Sequence, residues 1–352
     1  MTKTRRAAVM YGIDDIRVEN ICMPAKLEPD DVLVRIKSVG ICGSDIHFYK
    51  EGKIGTMAVV PPHILGHECS GEIAEAGSNV KHLRVGDRVA VEPGRPCGKC
   101  EFCQKGKYNL CPDMIFMSAP HPQKLDEGAF VEYSIRPAGF CFKIPEHVSY
   151  DEGAMAEPLA VALQALKRGR VTAGQSMVIL GCGPIALSIL LTAKAYGCSE
   201  IYMTDIVEYR LKKAEELGAL KAFNAAGTDY AAEIKKLTGG RGIDIVIDTT
   251  GNEKAYKAAV EIAMRGGVIV LVGMCADEMA QFNIGAVLDK ELSIASVFRY
   301  DNVYRTAVNL LSSGMVDMMK LITHRIPLEN IKEGLEIVAQ RKDDCIKVVI
   351  TI

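Results

Sequence analysis

Over roughly the first 150 positions, short apolar and polar alternations are broken by Gly, Pro and Asn, the punctuation of brief strands. The stretches DVLVRIKSVGI (31–41), SGEIAEAGSNV (70–80) and GDRVAVEPG (86–94) predict an irregular, largely antiparallel β domain. After Pro158 the period changes. Amphipathic helical patterns such as YRLKKAEELG (209–218) and EKAYKAAVEIAMRGG (253–267) alternate with the compact apolar runs SMVILG, EIYMTD, GIDIVIDTTG, GGVIVLVG and ELSIASVF. That alternation predicts a parallel sheet covered by helices on both faces. From about Tyr300, helical patterns lead to a last strand, CIKVVITI (345–352), expected to return to the first domain. The fold class expected is α/β: a mainly β domain over 1–156, a doubly wound domain over 157–298 and a returning segment over 299–352.

Composition narrows the function classes. The 352 residues exceed what one hydrophobic core usually serves. With 49% hydrophobic residues, 24% charged residues and a net charge of -2, the chain matches neither disorder nor a binder of nucleic acid. The N-terminal apolar stretch is interrupted by Gly12, Asp14 and Asp15 too soon for a signal peptide, and no run is long enough to span a bilayer. A cytoplasmic location is expected. The 12 cysteines agree with it, since Cys22, Cys69, Cys141, Cys198 and Cys275 lie singly in apolar surroundings, as reduced thiols do.

The run MVILGCGPIALSILLTAKAYGCSEIYMTD (177–205) reads as strand, glycine turn, helix and second strand ending in an acid. Gly181 suits the sharp turn, Gly183 the close approach of a pyrophosphate, and Pro184 opens a helix whose positive end faces it. Ala186 replaces the third glycine of this fingerprint, where only a small residue is needed. Asp205 stands where a carboxylate holds ribose hydroxyls and repels an added phosphate, which favours NAD over NADP; Arg210 nearby weakens that preference.

Two groups of metal-binding residue types precede it. Cys97, Cys100, Cys103 and Cys111, in a lobe spanning about 92–112, have the spacing C-x2-C-x2-C-x7-C. Four thiolates suit a closed structural zinc site; the long last gap argues against an iron-sulfur cluster, and free thiols or disulfides stay open. Upstream, Cys42, His67 and Glu68 offer a thiolate, an imidazole and a carboxylate, which with water would form an open, Lewis-acidic zinc site.

CGSDIH (42–47), GHE (66–68), the four-cysteine lobe, GDRVAVEPG, EPLAVALQALKR (157–168) and GCGPIA (181–186) occur in the order found in the zinc-dependent medium-chain dehydrogenases. The chain resembles that family over essentially its whole length. AEPLAVALQAL, SVFRYDN and THRIPLE are most similar to its sorbitol (L-iditol) and xylitol dehydrogenase branch. The resemblance implies a GroES-like zinc domain and a Rossmann NAD domain, with two zinc ions per subunit. It assigns Cys42, His67 and Glu68 to the catalytic zinc, with Glu157 binding it directly or through water, and Asp45 orienting a ligating histidine. Ser44 and His47 match a proton relay. Ile185, Asp205, Arg210, Val272, Gly273, Met274, Val297, Phe298 and Arg299 match cofactor positions, while Arg299 and Tyr300 match groups touching polyol hydroxyls. Phe48 departs from the pattern, standing where a tyrosine reaches the substrate in sorbitol enzymes. The four-cysteine lobe is also lacking in animal sorbitol enzymes, which places this chain with bacterial or xylitol-type members.

The activity implied is NAD-linked oxidation of a polyol to a ketose, with oxidation of threonine, butanediol or a sugar phosphate as alternatives and a non-enzymatic zinc-lobe module as a remote one. A homotetramer or homodimer is implied by the same resemblance. His63, His82, His121, His147 and His324 carry no ligand spacing and are expected to be surface or packing residues.

Overall fold

The computed structural model describes residues 3–24, 26–120, 127–275, 279–341 and 344–352. It divides into two compact units: Met1–Glu157 with Asp301–Ile352, and Pro158–Tyr300. Glu157 thus belongs to the first unit, and Arg299 and Tyr300 to the second.

The first unit is built on a seven-stranded sheet running Cys141–Lys143, Arg88–Val91, Glu68–Ala76, Asp31–Gly40, Lys347–Thr351 and Ile322–Pro327, with Tyr133–Pro137 also on Asp31–Gly40. Its pairings are antiparallel except for Ile322–Pro327 on Lys347–Thr351. A smaller sheet joins Asp15–Cys22, Thr4–Gly12 and His63–Ile64. The apolar positions of Asp31–Gly40 explain its central place: Val32, Val34, Ile36 and Val39 are at most 1% exposed. Each such side chain contributes about 1.5–3 kcal/mol when taken from water. They share one core with Leu335, Val348 and Ile350 from the far end of the chain.

In the second unit six parallel strands follow the order Lys221–Asn224, Glu200–Asp205, Ser176–Leu180, Ile243–Asp248, Ala263–Leu271, Ser293–Ser296. The order reverses beside Ser176–Leu180, so the strand ends there open a crevice suited to a dinucleotide. Ser176–Leu180 is buried at every position, as expected of a parallel strand covered on both faces. One element differs from its sequence pattern. The helix expected over 253–267 stops at Ile262, because Ala263 already pairs with Ile243 at the start of the next strand. Sheet pairing there overrides local helix propensity.

Candidate functional site

In the first unit, Gly40 ends a strand and Cys42 caps the helix Gly43–Glu51. Asp45, fully buried in that helix, accepts the Cys42 amide on Oδ2 at 2.9 Å and the Gly66 amide on Oδ1 at 3.0 Å. One carboxylate therefore ties the Cys42 turn to the turn carrying His67 and Glu68. The ligand atoms of Cys42, His67 and Glu68 lie within 4.8 Å of one another, and His67 and Glu68 are buried. This sulfur, nitrogen and oxygen set fits zinc.

His67 Nδ1 lies 3.7 Å from Asp45 Oδ1 and 3.3 Å from the hydroxyl of Ser118. Burial pulls the His67 imidazole down, but Asp45 and Cys42 carry it well above the ordinary histidine range. The Glu68 carboxylate is paired with Lys347, which is 2% exposed and also donates to the Ile41 carbonyl at 2.9 Å. Glu157, 5% exposed in the first turn of the helix Ala156–Gly169, stands outside the set of three. Its charge is nonetheless felt at Lys347, Glu92 and Tyr304.

Cys97, Cys100, Cys103 and Cys111 form the second cluster among the described residues, again within 4.8 Å. The Cys97–Cys103 and Cys100–Cys103 sulfur separations are 4.0 and 3.4 Å, near the roughly 3.8 Å edge of a tetrahedron with 2.3 Å Zn–S bonds. No disulfide is present, and the Cys97 thiol is drawn down to about 6 by the backbone amides of Lys99 and Cys100. Such amides suit a thiolate ligand.

In the second unit, Gly181 has φ +104° at the end of Ser176–Leu180, and a Cβ there would meet Thr249 Oγ1 at 2.5 Å. Gly183 caps the helix Pro184–Ala195, and a Cβ on it would point into empty space, the room a phosphate requires. Ala186 is fully buried, as its packing role demands. Asp205 is more occupied than its sequence position suggested. Its oxygens accept the amides of Cys182 at 2.7 Å, Ile206 at 2.8 Å and Val207 at 3.0 Å, so the carboxylate braces the glycine turn. Arg210 Nε donates to the Tyr209 hydroxyl at 3.1 Å. Val272 and Gly273 both donate to the Asp248 carbonyl, which fixes the turn ending in Met274.

Two family models match: the alcohol dehydrogenase GroES-like domain over residues 28–146 and the zinc-binding dehydrogenase domain over 184–313. A sorbitol dehydrogenase of Bacillus subtilis (strain 168) is 41% identical over 98% of this chain and 96% of its own. The Homo sapiens sorbitol dehydrogenase is 40% identical over 93% of this chain and 91% of its own. This chain belongs to the zinc-dependent medium-chain dehydrogenases, in their sorbitol dehydrogenase branch. The solved L-idonate 5-dehydrogenase of Escherichia coli superposes with a TM-score of 0.92 at 30% identity, covering 100% of this chain and 99% of the other. The GroES-like and Rossmann architecture follows, and zinc and a nicotinamide dinucleotide are the cofactors of the branch.

Ser44 is half-buried, while His47 is exposed with Nδ1 at 3.1 Å from Glu51 Oε1. Phe48 does not present an open contact surface; it is 3% exposed and packs in the hydrophobic core. Arg299 has φ +54° and lays its guanidinium 4.8 Å from the centre of the Phe298 ring. Val297 donates to the Leu271 carbonyl, and Tyr300 is 3% exposed.

Of the histidines without ligand spacing, His63 is buried with Nε2 2.8 Å from the Ser118 carbonyl. His82, His147 and His324 bond Ala138, Ser312 and Thr323, and His121 lies outside the described residues. Sequence reasoning missed Ser118, Lys347 and Glu92, since a lone serine, lysine or glutamate carries no spacing that marks it. No helix among the described residues is long and apolar enough to cross a membrane.

Proposed function

We propose that this protein oxidises a secondary alcohol of a sorbitol- or xylitol-like polyol to the ketose with NAD. The observation that carries the reading is the convergence of Cys42, His67 and Glu68 within 4.8 Å, with buried Glu157 close enough for its charge to be felt at Lys347, the partner of Glu68, in a chain that also holds a dinucleotide turn. A zinc ion there supplies a Lewis acid that acidifies the alcohol, and NAD supplies the hydride acceptor.

The chain's own groups do the rest. Cys42, His67 and Glu68 hold the metal, and Glu157 adds a ligand or orients water. Ser44 Oγ accepts the alcohol proton and passes it to His47. The exposed ring of His47, with Glu51 on Nδ1, keeps Nε2 for exchange with solvent. The resemblance assigns Arg299 and Tyr300 to the polyol hydroxyls, and Gly181, Gly183, Pro184, Ile185, Asp205, Arg210, Val272, Gly273, Met274, Val297, Phe298 and Arg299 to the cofactor. The second zinc, on Cys97, Cys100, Cys103 and Cys111, braces the lobe. Free cysteines throughout the chain suit a cytoplasmic location, and assembly as a homotetramer or homodimer rests on the resemblance.

The test is NADH formation with NAD or NADP on sorbitol, xylitol, L-iditol, galactitol, 2,3-butanediol and L-threonine, before and after chelation and for Cys42→Ser. Polyol turnover with NAD, abolished by chelation and in Cys42→Ser, is expected. Turnover confined to threonine or butanediol would sink the polyol assignment and keep the zinc hydride chemistry.

A further inference from the structure

The His67 ring needs a partner on Nδ1 to set its tautomer and aim, and Asp45, the carboxylate expected to serve, faces it at ion-pair distance. Asp45 Oδ1 is 3.7 Å away, longer than a good hydrogen bond, and the two Asp45 oxygens also accept the amides of Gly66 and Cys42. Ser118 Oγ is closer, at 3.3 Å from Nδ1, and the hydroxyl is enclosed: the residue is 2% exposed. With Nδ1 engaged by Ser118, Nε2 is left to meet a metal.

The backbone supports this reading. Ser118 has φ +61°, a left-handed conformation that costs a non-glycine residue about 1–2 kcal/mol. It persists because its surroundings over-determine it. The Ala119 amide closes a turn on the Phe116 carbonyl at 3.0 Å, and the buried His63 ring holds the Ser118 carbonyl at 2.8 Å through Nε2. His63 is in turn anchored by its strand pairing with Met10. Glycine would adopt this φ without strain, so the hydroxyl is what serine adds. The Phe116 ring, 5.6 Å from the His67 ring, closes another side of the imidazole.

We propose that Ser118 is a positioning residue for the catalytic metal: its hydroxyl accepts the Nδ1–H of His67 and aims Nε2, while the His63 bond to the Ser118 carbonyl holds that hydroxyl in place. Asp45 then acts as a fixed negative charge and a brace of the two turns. The inference rests on the proposed metal centre at Cys42, His67 and Glu68.

The test uses Ser118→Gly, which removes the hydroxyl at a φ that glycine tolerates. Full-length protein loaded with zinc is titrated with a competing chelator, and the phase lost in Cys42→Ser is assigned to the catalytic site. Ser118→Gly should weaken that phase about 10-fold or more, the usual effect of removing a hydrogen-bond partner from a ligating histidine. The lobe phase should stay unchanged, and the thermal midpoint of the zinc-free variant should be no lower than that of the parent. With Co²⁺ at the site, the visible ligand-field bands should shift, which a purely structural role for Ser118 would not produce. A catalytic-site affinity within about twofold of the parent, in protein whose Cys42→Ser variant has lost one of two zinc ions, overturns the role of Ser118 alone. If Cys42→Ser keeps its full zinc content, the metal-centre reading fails and this inference with it.

Discussion

Glu92 has an acid-base signature that can be read as stability. It follows the strand Arg88–Val91, is 3% exposed, and accepts a hydrogen bond from the Tyr108 hydroxyl at 2.8 Å. Burial pushes its carboxyl from 4.5 up to about 7; Glu157 and Asp301 add repulsion, against the pull of Tyr108. An acid whose folded pKa lies above its unfolded one binds more protons when folded, so stability falls as pH rises from about 4.5 through 7 and levels off above. At about 1.4 kcal/mol per pH unit, ionising Glu92 in place costs on the order of 3 kcal/mol by pH 8. Glu92→Gln removes the charge and keeps a carbonyl oxygen for Tyr108. The variant should match the parent near pH 5 and exceed it near pH 8 by roughly 1–3 kcal/mol, the lower end allowing for relaxation around the charge. Urea denaturation of both proteins, zinc-loaded, at the two pH values gives the double difference, in which titrating groups not coupled to Glu92 cancel. A gap between variant and parent that is the same at both pH values would refute the reasoning, because the carboxyl would then not titrate in that window.

Two other perturbations separate bracing from chemistry. Cys100→Ser should release one of the two zinc ions and lower the thermal midpoint by several degrees, with kcat/KM of the folded fraction within about threefold of the parent; intact metal content with turnover lost would contradict the brace. Asp205→Ala should shift the ratio of NADP to NAD turnover upward by about tenfold, and also cost about 1–3 kcal/mol because three backbone amides lose their acceptor. An unchanged cofactor ratio would show that Asp205 serves only the turn.

Five of the six strands of the second unit were legible in the sequence because each lies in a compact apolar run; Lys221–Asn224 was missed, since KAFN is short, carries a lysine and buries only Phe223. The helix after Asn252 was overextended, since nothing local in AMRGG shows that Ala263 is claimed by a neighbouring strand. The candidate metal ligands were legible because Cys, His and Glu in tight spacing are rare by chance, and the structure gathers Cys42 with His67 and Glu68 across more than twenty positions. What supports them was not. Lys347 lies some 280 residues beyond Glu68 along the chain and meets it only because Lys347–Thr351 pairs with Asp31–Gly40. Ser118 is invisible for another reason: only its positive φ and the His63 bond give its hydroxyl a direction. Phe48, the position that departs from the sorbitol-enzyme pattern, packs into the core, a placement that depends on the whole fold and that its local sequence does not mark.

The first unit is discontinuous, and that has a consequence for how the protein is made. Its central strand Asp31–Gly40 is flanked along part of one side by Lys347–Thr351, which leaves the ribosome only after the whole of Pro158–Tyr300. During that interval the nucleotide-binding unit has all its residues and can fold, while the half-built β unit displays an unpaired strand edge, the kind of surface that recruits chaperones or other nascent chains. Any zinc reaching Cys42, His67 and Glu68 in that period would find the Glu68 carboxylate without its lysine. Glu68 therefore gains its lysine only late in biosynthesis, and depletion of chaperones should reduce the yield of active protein more than it reduces the yield of folded nucleotide-binding unit.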